Sequence, residues 1–177
     1  MVAGTSAKRI AASLLGFVAL LGGLWAPADA DAPPHKGAPA PAFSLPIVAN
    51  GTGTLSLIAL KGHAVYLNFF ASWCDPCKHE VPYIGRLSKE YANHNVVVVG
   101  VDELEPADKA EQFAKRYHLP YRVTLDEKGD VGGSYGLIGL PLHVFIAPNG
   151  TLAAYRVGEM SESQIRTELQ TISAEHP

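Results

Sequence analysis

Cysteine is scarce here: only Cys74 and Cys77 occur among 177 residues. With no second cysteine pair, a zinc site needing about four ligands finds too few, and His79 alone does not complete one. Covalent haem attachment needs His directly after the second cysteine, but Lys78 stands there and His79 comes one position late. Charge is sparse too, at 18% of residues with a net of −3. No long run of like charge and no internal repeat occurs. That balance argues against nucleic acid or an anionic membrane surface as the main partner. Apolar residues make up 47%, enough for one real core.

The first thirty residues differ from the rest. Lys8 and Arg9 precede an uncharged, mostly apolar stretch, and Ala28-Asp29-Ala30 offers small residues at signal-peptidase spacing. A secretory signal cut after Ala30 is the expectation. An uncleaved N-terminal membrane anchor is the alternative, because residues 10–28 carry no charge and barely reach bilayer length. Both readings export the domain to the periplasm or another extracytoplasmic space. The segment 31–42 holds Pro33, Pro34, Pro39 and Pro41 and reads as an extended linker, with the compact domain spanning 43–177.

Ala64 to Phe70 is almost continuously apolar, as in a central strand covered on both faces. A helix is predicted over Asp75–Tyr91, with Cys77, Val81, Ile84, Leu87 and Tyr91 inward and a kink at Pro82. Val96–Val101 and Tyr121–Leu125 are predicted strands around a helix at Ala107–Tyr117, whose inward positions are Ala110, Phe113, Ala114 and Tyr117. A short helical piece is expected over Asp130–Tyr135. Asn149-Gly150 between the apolar runs Leu142–Ile146 and Leu152–Val157 marks a hairpin. Ser161 and Gln164 form a capping-box pattern that opens a last helix, with Ile165, Leu169 and Ile172 inward. The class is α/β: a central mixed β-sheet flanked by helices, with an N-terminal β-hairpin extension from Phe43–Leu45 and Leu55–Leu57.

The two cysteines sit where a buried strand hands over to a helix. Unpaired backbone N–H groups and the macrodipole at a helix start favour negative charge, so the Cys74 thiol is expected below the free value of about 8.5. Cys77, one turn in and on the buried face, meets solvent less. Cys74 is therefore the expected nucleophile and Cys77 the resolving thiol of a disulfide exchange. A structural disulfide closing so short a loop stabilises little, and copper(I) binding by two thiolates stays open as chemistry.

The string Asn68-Phe-Phe-Ala-Ser-Trp73-Cys74-Asp75-Pro76-Cys77-Lys-His-Glu80-Val-Pro82 resembles the active site of TlpA/ResA-type thioredoxin-like proteins, exported reductases of which many serve cytochrome c maturation. Gly37 to Leu45 is similar to the opening segment of that family, Gly139-Leu140-Pro141 to its cis-proline loop, and Gly158 to Ser163 to the ResA branch. The resemblance covers roughly Gly37 to Ile172. It implies a thioredoxin-like fold and a protein-disulfide reductase whose only redox group is the Cys74–Cys77 pair, with no other cofactor and no metal. It implies apocytochrome c as substrate and a membrane thiol donor of electrons. It also implies a cis Pro141 beside the dithiol, with Leu140 pairing an extended substrate and Trp73 and Pro76 at the substrate face.

Glu80 lies three residues after Cys77 on nearly the same helix face. Desolvation there is expected to raise its pKa and suit it to move the Cys77 proton, the role the family gives its matching glutamate. Asn68 stands where cytosolic thioredoxins carry a buried aspartate, which leaves acid–base work to Glu80. Trp73 is expected beside the nucleophile, in a place compatible with a core aromatic. Asp75 adds negative charge that disfavours the thiolate and pushes toward a more reducing protein. Leu142 and His143 depart from the two threonines often found after the cis-proline, and His143 is read as a half-buried strand residue. Rival functions are a disulfide oxidant or isomerase of the same fold, and a metal-handling factor that delivers copper or reduces copper-site cysteines. A peroxidase of the peroxiredoxin type is disfavoured, because Phe70 to Trp73 lacks its Thr and Pro.

Overall fold

The structure, a computed structural model, describes Met1 and residues 34–174. Residues 2–30 of the expected export segment and 31–33 of the expected linker lie outside the described residues. No described helix is long and apolar enough to cross a membrane.

Seven strands form one sheet in the order β2-β1-β5-β4-β3-β6-β7. They are β1 (Ser44–Ala49), β2 (Thr54–Ser56), β3 (Ala64–Phe70), β4 (Val96–Glu103), β5 (Arg122–Asp126), β6 (Leu142–Ile146) and β7 (Leu152–Val157). The helices are α1 (Asp75–Tyr91), α2 (Ala107–Arg116), α3 (Asp130–Ser134) and α4 (Glu162–Ala174). β3, β4 and β5 run parallel, and β6 joins β3 antiparallel, giving the expected mixed sheet.

All seven residues of β3 are buried, as its unbroken apolar run requires. The two faces separate by the period-2 alternation of a strand. Tyr66 and Phe70 join the core under α1, α2 and α4, whereas Val65, Leu67 and Phe69 join the core on the opposite face. There Leu45 and Leu55 of the N-terminal hairpin and Val131 of α3 pack. Gly100 in β4 is small by necessity: a Cβ there would sit 3.0 Å from Phe70 Cε1 and 3.2 Å from Tyr121 Cε2.

The N-terminal hairpin pairs Leu45 with Leu55, and β1 also pairs antiparallel with β5, so the hairpin continues the main sheet. The chain is tied down from residue 37: Gly37 and Ala40 donate backbone N–H groups to the carbonyls of Leu152 and Gly150. α1 continues through Pro82. In the capping box, Ser161 N–H donates to Gln164 Oε1 at 2.8 Å. α2 buries Ala110, Phe113 and Ala114, while Tyr117 falls just past its end and is half-buried.

The parallel strands end at Phe70, Glu103 and Asp126, and Leu142, at the start of β6, lies opposite Phe69. This sheet end therefore collects the loop into α1, the acidic run after β4 and the segment before β6.

Candidate active site

Cys74 is the N-cap of α1, with extended backbone at φ −77° and ψ 106°. Its Sγ accepts the Cys77 backbone N–H at 3.3 Å. Pro76 falls in the first turn, where a missing N–H costs nothing. The cysteines are joined in a disulfide with Cα atoms 5.3 Å apart. Cys74 keeps 4% of its surface exposed and Cys77 1%, so an incoming thiol reaches Cys74 first. Asp75 is fully exposed and paired with Lys78 at 2.6 Å, and the hydrogen bond from Lys78 holds its carboxyl below the usual range.

Trp73 is 65% exposed beside the disulfide and is not a core aromatic. The position before a helix cap at a sheet end turns its indole outward, so it is free to meet a partner. The Leu140–Pro141 bond is cis. The Pro141 carbonyl accepts the Gly158 N–H at 2.8 Å. Leu140 packs against the core cluster that contains both cysteines.

Glu80 is completely buried. Its Oε1 accepts the Met160 N–H at 2.5 Å and lies 3.3 Å from His143 Nε2, and its Oε2 has no partner among the described residues. The expectation of a half-buried His143 is corrected: the side chain is wholly buried, with Nδ1 2.8 Å from the Tyr66 hydroxyl. The physical reason is topology. β6 lies inside the sheet between β3 and β7, and α1 and α4 cover this face, so the strand has no solvent side. Asn68 pairs in register with His143 and is buried, with neither amide atom partnered among the described residues. Burial, with Glu80 next in weight, pushes the Tyr66 hydroxyl well above its ordinary range.

A second group of carboxyls went unnoticed in the sequence. Glu105 accepts from Ser72 twice, from N–H at 2.5 Å and from the hydroxyl at 2.6 Å, which fixes the loop that presents Cys74. Behind it Asp102, Glu103 and Asp126 are buried. Burial, reinforced by Glu105, pushes the Asp102 carboxyl up to about 8. Burial, reinforced by Asp126, pushes Glu103 up to about 9. Asp126 accepts the Gly132 N–H at 2.7 Å. The one sequence signal of the run Asp102-Glu103-Leu104-Glu105 is that acidic residues continue a run of valines. No trio of His, Cys, Asp or Glu among the described residues is placed to hold a metal ion.

A reversible dithiol at a helix N-terminus, on a mixed sheet and beside a cis-proline loop, defines a thioredoxin-fold thiol–disulfide exchange protein. The comparisons agree. Residues 35–169 match the Redoxin family model, and the chain belongs to that family. It is 32% identical over 119 residues to the thiol-disulfide oxidoreductase ResA of Bacillus thuringiensis subsp. konkukian, covering 67% of this chain and 69% of that protein. A Chlorobium tepidum crystal structure provisionally named thiol:disulfide interchange protein DsbE superposes with TM-score 0.74 at 29% identity, over 79% of this chain and 99% of that one. A thioredoxin-family thiol:disulfide interchange protein from Chlorobium tepidum TLS superposes with TM-score 0.69 at 28% identity, over 81% and 99%. The chain is a thiol–disulfide oxidoreductase of the ResA/DsbE type, working through Cys74 and Cys77.

Proposed function

We propose that this oxidoreductase acts outside the cytoplasm as a reductase of protein disulfides, with apocytochrome c as its substrate. The observation that carries this reading is the placement of a wholly buried Glu80 behind a dithiol whose outer sulfur caps α1. In the reduced protein the Cys74 thiolate, favoured by the helix start, attacks a substrate disulfide; one substrate sulfur leaves as a thiol and the other is held on Cys74. Cys77 then loses its proton to Glu80 and attacks Cys74 Sγ. The Cys74–Cys77 bond forms, and the second substrate sulfur leaves and takes up a proton. A membrane thiol donor returns two electrons, and the cysteine pair is the only redox group required.

Trp73 and Pro76 meet the substrate on the helix side. Leu140 and Pro141 meet it on the other, where no backbone hydrogen bond engages Leu140 among the described residues, so its peptide can pair with an extended segment.

The test is capture. Cys77→Ser, expressed with its own export segment, accumulates mixed disulfides through Cys74, and mass spectrometry of the trapped partners returns apocytochrome c. A catch dominated by other proteins refutes that substrate. A reduction potential measured against glutathione separates reductase from oxidant: a value of about −120 mV, as in strong oxidants, refutes reduction.

A further inference from the structure

We propose that His143 is a positioning residue for Glu80: its Nε2–H, unpartnered in the oxidised protein and close to one carboxylate oxygen, closes on that oxygen when Glu80 is charged and leaves the other free to take the Cys77 proton. This rests on the reading of Glu80 as the proton acceptor.

The tautomer follows from hydrogen-bond accounting. Among the described residues the Tyr66 hydroxyl hydrogen-bonds only to His143 Nδ1, at 2.8 Å. Burial keeps that phenol protonated, so its O–H donates and Nδ1 accepts. A neutral imidazole then carries its proton on Nε2, which has no hydrogen-bond partner among the described residues and lies 3.3 Å from Glu80 Oε1, off hydrogen-bond geometry. Met160 N–H reaches the same oxygen from the loop before α4. The Met160 N–H thus bonds Oε1 of a solvent-excluded carboxyl, the His143 Nε2 stands beside that oxygen without a hydrogen-bond partner among the described residues, and Oε2 is left without one too. Donors that hold the charged form offset the cost of burying it. His143 is therefore the side chain that lets a carboxyl in this dry place act as an acceptor.

The other titratable and charged groups around the ring are accounted for. Tyr66 comes from β3, Cys77, Glu80 and Tyr83 from α1, and Tyr121 from the segment before β5. The Tyr83 hydroxyl donates to the Met160 carbonyl at 2.5 Å. Burial, with Glu80 behind it, pushes both Tyr83 and Tyr121 upward, so neither supplies a charge. Arg156 of β7 pairs in register with His143, but it is exposed and turned to Glu168 of α4 at 2.9 Å. His79 and Glu159 face each other at the surface, 3.7 Å apart.

The test uses the reduced full chain and dithionitrobenzoate. The first thionitrobenzoate release reports attack by Cys74, and the second reports closure by Cys77. Across pH 5 to 9, His143→Leu slows the second release roughly tenfold at neutral pH and moves its midpoint upward by about one unit, with the first release unchanged. His143→Gln, whose amide can donate to Oε1 and accept from Tyr66, restores the wild-type midpoint. Glu80→Gln abolishes that pH dependence. If Glu80→Gln changes it while both His143 variants match wild type, the role of His143 is refuted and that of Glu80 stands. If Glu80→Gln also matches wild type, the Glu80 reading fails and this one with it. Should His143→Leu not fold, imidazole nitrogen shifts of the wild-type protein decide: an Nε2–H tautomer supports the assignment and an Nδ1–H tautomer overturns it.

Discussion

Raising the pH should destabilise the oxidised protein, and replacing Asp102 by Asn should remove part of that loss. Asp102 goes from 3.8 to about 8 on folding, and Glu103 from 4.5 to about 9. Between those limits the folded state holds protons that the unfolded chain has released. Unfolding stability therefore falls as pH rises. The contribution is fully present below about pH 4 and is gone above about pH 9, the reverse of a salt-bridged carboxylate. At about 1.4 kcal/mol per unit, Asp102 alone accounts for about 4 kcal/mol between pH 4 and pH 7. Relaxation around a newly charged carboxylate reduces such values, so about 2 kcal/mol per group is the working magnitude. Asp102→Asn keeps the shape and offers an N–H to Glu105, so it lacks the penalty without leaving a hole.

Urea unfolding of the oxidised protein at pH 5.5, 7 and 8.5 reads this directly. With both cysteines in the disulfide, no thiol titration intrudes. Titration of the seven histidines cancels in the difference between wild type and variant. Wild type loses about 2 to 4 kcal/mol over that range, and the variant loses about 2 kcal/mol less. A wild-type stability that is flat or rises with pH, or a variant whose pH curve runs parallel to wild type, refutes the buried protonated carboxyls.

Three more outcomes follow from the same geometry. Glu105→Ala removes both acceptors of Ser72 and should cost about 2 to 4 kcal/mol in denaturant unfolding, with faster amide exchange over residues 71–74; an unchanged exchange pattern there contradicts its role in fixing the loop. Trp73→Ala should change stability by less than about 1 kcal/mol, because the indole is 65% exposed, yet raise KM for a protein disulfide; unchanged KM removes it from the substrate face. Gly132→Ala places a Cβ 2.6 Å from Glu103 Oε2 and 2.9 Å from Leu137 Cδ2, and should cost about 1 to 3 kcal/mol, read as a lower thermal midpoint.

The legible parts of the fold were those where one local signal sufficed. The apolar run Ala64–Phe70 became β3 with the same ends, and the inward stripe of Asp75–Tyr91 became α1. The pairing of Ser161 with Gln164 and the turn around Asn149-Gly150 needed only neighbours a few residues apart. What stayed hidden depended on contacts across the chain. β1 joins β5 from more than seventy positions away, which no periodicity encodes. His143 looked like a polar residue in a strand with one wet side, and became a buried base only because β7 and α4 close over it. Asp102 and Glu103 fall just past the strand predicted over Val96–Val101, and are buried because the Ser72 loop and α3 fold onto them. A sequence shows that a polar residue sits in an apolar run; it does not show which distant element supplies its partner.

These hidden carboxyls bear on the direction of electron flow. A dithiol protein oxidises strongly when its reduced form is stabilised as a thiolate, and reduces when that stabilisation is withheld. The helix start works toward the thiolate here, with Cys77 N–H already turned to Cys74 Sγ. Acidic groups work against it from three sides. Asp75 lies within the motif, Glu105 grips the loop two residues ahead of Cys74, and Glu80 lies one turn beyond Cys77. Asp102 and Glu103 stay protonated at neutral pH and add little to that field. No lysine or arginine among the described residues is buried to offset this; Lys78 is paired with Asp75. That excess of acidic groups is the electrostatic argument for the proposed direction, electrons passing to a substrate disulfide, and a measured reduction potential tests it.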